Sequence, residues 1–543
     1  MIRRFVEALV VGLCALPAAA ADDARAASDR PNIVVIVADD LPPHMVGFMP
    51  DSNGQALTPS LDALAAEGLA LNNLHSPSPV CTPSRYALLT GGYASRATND
   101  TFRSRTTEDD GQTVVYFNTK LTPADDNLAK RFKLAGYATG AVGKNHVIEV
   151  PGFDNLPYTA KLEDPDVQRR LAKNADAVRE AYHAVGFDFA EALYYGNPDS
   201  DGIRALASHN QDWITDAACT FIREHADEPF FLYMATTIPH GPINDDRSWN
   251  ADPRITAEGL LDEPPDVQPA RETLPKRVRE AGVDGPNRAN VLWLDDAVAA
   301  VLEQLEQSGV QDNTIIIFVS DHGTSAKGSV YSRGTRTVGM IWQAGGFSAT
   351  GRMDAAVTLP DLAPTMLDLA GVAFEPAEFD GLSMRPLLDG EAEGLHDALY
   401  FELGYTRAIE MNGLRYVAIR YPRHAEEMSL EQRDRLLDRL NARLNQRGRP
   451  LITTDPKTPF SHLSLIPGGR DAERIAVRRH PAYYEPDQLY DLNSDPDQQR
   501  NLIDDPQYAD QLAELRQALS ARLSTLPGEF PLDASSASQK SID

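Results

Sequence analysis

The feature that most constrains this chain is a set of apolar runs that do not alternate. Pro31-Asn32 opens the β-branched run 33–37, and further runs occupy 138–142, 230–234, 315–319 and 338–342. A strand with one wet face alternates apolar and polar residues, whereas a run apolar at every position needs cover on both faces. Between the runs lie helical patterns at Pro59–Glu67, 211–225, 287–307 and 359–369. Strand and helix in this order predict an α/β fold, with a large mixed, mostly parallel sheet flanked by helices. Ligands of such sheets sit outside the carboxyl ends of the strands. The connections 151–207 and 244–285 read as long polar excursions. From about residue 395 the texture changes to half-polar strands, 398–403 and 415–419, and charged helical stretches, 430–447 and 506–523. The expected division is a main domain at 31–390, a smaller C-terminal α+β subdomain at 391–533 and a disordered tail at 534–543.

The first twenty residues read as a secretory signal peptide. Arg3 and Arg4 precede the apolar run 5–16, broken only by Glu7, and Pro17 leads into four alanines that offer Ala-x-Ala cleavage. The run is shorter than the about 20 apolar residues of a spanning helix, so an exported, periplasmic or secreted protein is expected rather than a membrane anchor. Leu13 ahead of Cys14 speaks against a lipoprotein. Beyond the leader only Cys81 and Cys219 remain, too few for a disulfide framework. With 79 Asp+Glu against 51 Lys+Arg, the net charge of -28 argues against a phosphate-backbone binder, which normally presents a basic face. An anionic ligand must meet a local positive site.

Chemistry-bearing residues collect at the strand ends. Asp39-Asp40 follows the first run, and Asp321-His322-Gly323 follows the run 315–319. If both project from one sheet edge, three carboxylates supply the oxygen ligands that Ca²⁺ or Mg²⁺ takes. Either acidic pair alone would be read as a turn or helix cap. In Cys81-Thr82-Pro83-Ser84-Arg85, Thr82 suits an N-cap and Pro83 the first helical position. Cys81 then stands at the positive helix end with Arg85 turning back beside it.

That pentapeptide, with Leu89-Thr90-Gly91 after it, resembles the signature of the type I sulfatases, the formylglycine-dependent, arylsulfatase-like enzymes of the alkaline phosphatase superfamily. Gly143-Lys144-Asn145-His146, Pro239-His240, Ser320-Asp321-His322-Gly323, Asp361-Leu362-Ala363-Pro364-Thr365, Phe379-Asp380-Gly381 and Leu489-Tyr490-Asp491-Leu492 follow in the family's order. The resemblance implies an alkaline-phosphatase-like fold and conversion of Cys81 to Cα-formylglycine by a sulfatase-maturing enzyme. It also implies a metal, Ca²⁺ or else Mg²⁺, on Asp39, Asp40, residue 81, Asp321 and His322. By the same resemblance Arg85, Lys144 and Lys327 hold sulfate, while His146 and His240 move protons. Two departures stand out. Tyr331 is followed by Ser332-Arg333-Gly334 in place of the family's Glu-Gly-Gly, which leaves Arg333 as a substitute for Lys327, and Pro42 replaces a common glycine after the first Asp pair.

The activity so implied is sulfate monoester hydrolysis by a formylglycine hydrate, on a sulfated carbohydrate from an extracellular polysaccharide, with a carrageenan-type galactan suggested by 93–98. The alternatives are a phosphomonoester, phosphodiester or phosphonate hydrolase of the same superfamily, and an inactive metal-dependent glycan-binding protein. Arg96, Arg103, Arg105, Arg443, Arg447, Arg449 and Arg470 are expected to meet further acidic groups of the substrate, and Tyr194 and Tyr195 either to stack on a sugar or, the commoner fate of such tyrosines, to pack in the core. His44, His75, His183 and His209 are read as ordinary hydrogen-bonding histidines, and neither nucleic acid nor membrane is an expected partner.

Overall fold

The computed structural model describes residues 30–446, 455–457 and 470–532. Its centre is an eight-stranded sheet formed by β1 (Asn32–Asp39), β2 (Leu69–Leu71), β3 (Ala138–Lys144), β4 (Phe189–Tyr194), β5 (Phe230–Pro239), β6 (Thr314–Ser320), β7 (Gly339–Gln343) and β8 (Gly351–Met353). In space they run β8-β2-β7-β6-β1-β5-β3-β4. The five strands from β6 to β4 are parallel, and β7 enters antiparallel to both its neighbours. The apolar runs are unalternated because both faces are covered. Ile33, Val35 and Val37 of β1 join the core on one side, and Val34 and Ile36 join the core on the other. All eight residues of β1 are buried, each large aliphatic side chain contributing about 1.5–3 kcal/mol of transfer free energy.

Helices α1 (Pro59–Glu67), α4 (Gln211–Glu224) and α5 (Arg288–Gln307) belong to the second of these cores. The first contains α2 (Cys81–Thr90) and α6 (Leu362–Leu369), the latter preceded by a 3-10 turn, Leu359–Asp361. A second, antiparallel sheet of β9 (Leu399–Leu403), β10 (Thr406–Met411), β11 (Leu414–Ile419) and β12 (Asp487–Asp491) follows, with α7 (Ala509–Leu523) packed on it. No helix among the described residues is long and apolar enough to cross a membrane.

Two expectations need correction. The stretch 151–207 is no bare connection: it carries α3 (Pro165–Ala184) and the edge strand β4. Helix α3 buries Val167, Leu171, Val178 and Tyr182 from a highly charged segment, and β4 is half-wet at its start, so neither produced a continuous apolar run. Helix α2 begins at Cys81 with Val80 as its cap, and the Thr82 hydroxyl turns to another partner described below. The leader 1–20, Cys14, Arg447, Arg449, the side chains of Arg443 and Arg470, and the tail 534–543 lie outside the described residues.

The parallel register sets the site. Ala38 pairs with Ser320, Asp39 with Pro239 and Gly143 with Ala235, so β1, β3, β5 and β6 end together. Gly143 sits at a bulge with φ +91°, where a Cβ would stand 1.9 Å from the Ala235 carbonyl oxygen. Gly91 ends α2 at φ +67°, and a Cβ there would fall 2.4 Å from Phe379. Its carbonyl accepts the N–H groups of Asp380 (2.9 Å) and Gly381 (3.1 Å), while the buried Asp361 accepts from Thr358 N–H and Leu382 N–H. The 361–365 and 379–381 motifs thus brace the helix that carries Cys81.

Candidate active site

Asp39 is the last residue of β1, and Asp40 follows in a left-handed conformation, φ +59°, that turns the chain back over the sheet edge. Its N–H donates to Asp321 Oδ1 at 3.1 Å, and the next N–H, of Leu41, donates to Ser320 Oγ at 3.0 Å. Cys81, 1% exposed, stands at the first position of α2. Its Sγ lies 3.5 Å from His322 Nε2 and 3.7 Å from Lys327 Nζ. Lys327 Nζ is 2.7 Å from both oxygens of Asp40, and His322 Nε2 is 3.0 Å from Asp40 Oδ1 and 3.6 Å from Asp321 Oδ1. Ligand atoms of Asp40, Cys81, Asp321 and His322 all fall within 4.8 Å of one another.

That spacing fits a cation. Oxygen donors sit about 2.3–2.6 Å from Ca²⁺, so donors around one ion lie within about 5 Å of one another. The like charges of Asp40 and Asp321 are held together by cationic neighbours. Burial would raise the Asp40 carboxyl, but Lys327 and His322 hold it well below the usual carboxylate range. Burial would lower the His322 imidazole, yet Asp321 and Asp40 raise it well above its ordinary value.

Asp39, expected as a fifth ligand, is not in this group. Its Oδ2 is 2.5 Å from Lys144 Nζ and its Oδ1 is 3.3 Å from Arg85 Nη2, all three side chains being fully buried. Burial would push Asp39 up, but Lys144, His240 and Arg85 keep it ionised far below the usual range. Arg85 also donates to Asp321 Oδ2 from Nε (3.3 Å) and Nη2 (3.1 Å), and its Nη1 is buried with no acceptor among the described residues. His240 follows β5 with Nδ1 on the Gly241 carbonyl (2.9 Å) and Nε2 3.5 Å from Asp40 Oδ2.

His146 is also left-handed, φ +58°. Its carbonyl accepts from Thr82 Oγ1 at 2.9 Å and from Lys120 Nζ at 3.0 Å, its ring stacks on Phe117, and its Nδ1 is buried without a partner among the described residues. Burial, then Lys144 and Lys120, hold the imidazole well below its ordinary value and therefore neutral. A neutral ring can accept a proton, as a base must.

All ten expected site residues therefore meet at one sheet edge, but the reserve residue does not. Arg333 reaches the surface carboxylate of Asp497, away from the cage, while Lys327 occupies the expected place. Tyr331 fixes that segment by donating to Gln488 Oε1 of β12 at 2.7 Å and stacking on His480. Arg96 and Arg105, expected at the substrate, pair with Asp380 and Asp109. Tyr194 is wholly buried with its hydroxyl on the Ser208 carbonyl, and Tyr195 stacks on Phe153. Lys120 and the structural part of Thr82 escaped the sequence reading, because a lone lysine in a loop carries no motif. His209 ties the two ends of the His240 turn through Thr237 Oγ1 (2.8 Å) and the Pro242 carbonyl (3.1 Å).

Comparison with known proteins adds four findings. The family model described as Sulfatase matches residues 31–372. The ulvan-active sulfatase of Formosa agariphila is 28% identical over 380 residues, 67% of this chain and 66% of the relative, so the match spans just under two thirds of that protein's length. Among solved structures, a Bacteroides thetaiotaomicron protein from work on glycosaminoglycan metabolism superposes with TM-score 0.58 at 19% identity, covering 91% of this chain and 100% of the other. The phosphonate monoester hydrolase of Agrobacterium radiobacter gives 0.54 at 18%, covering 92% and 96%. At these identities the superpositions establish the alkaline-phosphatase-like fold.

Proposed function

Because the chain belongs to the sulfatase family, we propose that it hydrolyses sulfate monoesters at the edge where Cys81 meets Lys144, Lys327 and Arg85. The observation that carries this reading is the placement of three buried or half-buried cations and a cation cage around one helix-terminal cysteine. A sulfate oxygen bears negative charge that repels a nucleophile unless fixed positive groups face it, and preorganised charge is the largest single catalytic effect in such sites.

Residue 81 is read as formylglycine, made by a maturing enzyme. Its hydrate would offer two geminal hydroxyls, one to bond sulfur and one whose deprotonation restores the aldehyde and frees sulfate. Asp40, Asp321, His322 and residue 81 would hold a divalent cation, Ca²⁺ or Mg²⁺, that supplies Lewis-acid charge beside the sulfate. Lys144, Lys327 and Arg85 hold sulfate oxygens, and Asp39 aims Lys144 and Arg85. His240 donates a proton to the departing alcohol, and neutral His146 takes one from residue 81.

We read the substrate as a sulfated carbohydrate, in keeping with the named activity of the ulvan-active relative, and the protein as exported, in keeping with its leader. The functional division we adopt is a catalytic part at 31–390 and a C-terminal α+β subdomain at 391–533. The second reading, phosphoester or phosphonate hydrolysis, is favoured by the phosphonate hydrolase among the structural neighbours. An inactive glycan-binding protein is disfavoured by the two proton-transfer histidines. The test is incubation with sulfated galactan, fucan and glycosaminoglycan oligosaccharides beside a small aryl sulfate. Sulfate release from at least one sugar is expected. Efficient turnover of the aryl ester with none of any sugar would overturn the carbohydrate assignment.

A further inference from the structure

We infer that the unconverted chain, with Cys81 still a thiol, is a tetrahedral Zn²⁺ site built from Cys81 Sγ, His322 Nε2 and one carboxylate oxygen each of Asp40 and Asp321. The inference rests on the reading above only for the later conversion of residue 81. Zinc binds thiolate at about 2.3 Å and imidazole or carboxylate at about 2.0–2.2 Å, so the edges of its tetrahedron are about 3.3–3.6 Å. The sulfur-to-nitrogen edge here is 3.5 Å, and the two nitrogen-to-oxygen edges are 3.0 and 3.6 Å. The three edges that meet at His322 Nε2 thus match the tetrahedron, and the remaining three lie within 4.8 Å.

Their orientation agrees. His322 Nδ1 faces the Gly323 carbonyl at 3.0 Å, and a carbonyl only accepts, so Nδ1 keeps its proton and Nε2, which is turned toward the other donors, is the nitrogen that gives up its proton to a metal. Arg85 holds Asp321 Oδ2, while Oδ1 accepts the Asp40 N–H and keeps its second lone pair on the side of His322. Cys81, Asp321 and His322 are 1% exposed or less, while Asp40 keeps 20% of its side chain open and forms the approach. Zinc displaces the thiol proton and the Nε2 proton of His322 to solvent, with no change of oxidation state. A thiolate and two carboxylates with Zn²⁺ leave one negative charge, which Lys327 at 3.7 Å from sulfur balances.

Thiolate sulfur is a donor that Zn²⁺ selects and hard, oxygen-preferring Ca²⁺ does not. Conversion of Cys81 replaces the sulfur by oxygen. The same residues then change preference from a borderline-soft to a hard cation, so the modification itself sets the metal.

The experiment uses full-length protein shown by peptide mass to retain Cys81, titrated with Co²⁺ as the visible stand-in for zinc. One equivalent is expected to raise a thiolate-to-cobalt charge-transfer band with tetrahedral ligand-field bands, release protons to solvent, and be bleached by Zn²⁺. Cys81→Ser should lose the charge-transfer band, His322→Asn should weaken binding at least tenfold, and Cys219→Ser should change neither. No charge-transfer band in wild type with an unaltered melting curve, or a band that survives in Cys81→Ser, overturns the inference. Sulfate release by the converted protein is assayed separately, so a band without sulfatase activity supports the zinc site and removes only the sulfatase reading.

Discussion

Cys81 is surrounded by groups that make sense only if it is chemically used. It is fully buried, yet it faces Lys327, His322 and two carboxylates rather than apolar neighbours. Cys81→Ala should abolish sulfate release while leaving the melting temperature within a few degrees, and loss of fold instead of turnover would contradict the assignment. Asp321→Asn should lose metal and activity together, read by metal analysis after gel filtration. The clamp on His146 gives a less obvious prediction. Lys120 is held by burial, against the pull of Glu149, at a pKa of about 8, and its ammonium fixes the His146 carbonyl in a left-handed turn. Lys120→Met should lower kcat tenfold or more with little change in KM, and Lys120→Arg should recover part of it. Equal changes in kcat and KM, or no rescue, would show a merely structural lysine. At this scale the motif residues were legible, because each combines a reactive side chain with fixed neighbours in sequence. Lys120 was not, because its importance comes entirely from a contact 26 residues away. The division of labour between Asp39 and Asp40 was hidden for a related reason: it is set by the left-handed turn at Asp40, where the chain leaves β1.

At the scale of elements, buried parallel strands were readable from unbroken apolar runs, and every one of those runs became a strand. What stayed hidden were elements with one wet side, α3 and β4, whose patterns merge with polar loops. The brace behind α2 yields a stability prediction. Gly91→Ala puts a methyl against Phe379 at a positive φ, which should cost about 1–3 kcal/mol, visible as a lowered denaturation midpoint. An unchanged midpoint would mean that the 379–381 segment does not press on the helix.

For the whole molecule, buried neutral histidines set the response to acid. His75 and His480 are pushed by burial to about 4, and His209 to about 3, against an ordinary value of 6.5. Between about pH 4 and 6.5 the unfolded chain binds protons that the folded chain refuses, so stability is full above 6.5 and falls as pH is lowered. Each such histidine removes about 2 kcal/mol by pH 5. Asp295, raised by burial to about 6, acts in the opposite sense, so the variant difference is the cleaner quantity. His75→Gln should lose about 2 kcal/mol less than wild type between pH 6.5 and 5 in urea denaturation. A parallel pH dependence in the two proteins would show that His75 is protonated in the fold.

The central claim is that the cations around residue 81 are arranged for sulfur. Its most direct test is kcat/KM for the sulfate and phosphate monoesters of one alcohol, measured side by side on protein shown to be converted at residue 81. A preference for the sulfate ester of tenfold or more is expected, and an equal or larger value for the phosphate ester would contradict the claim.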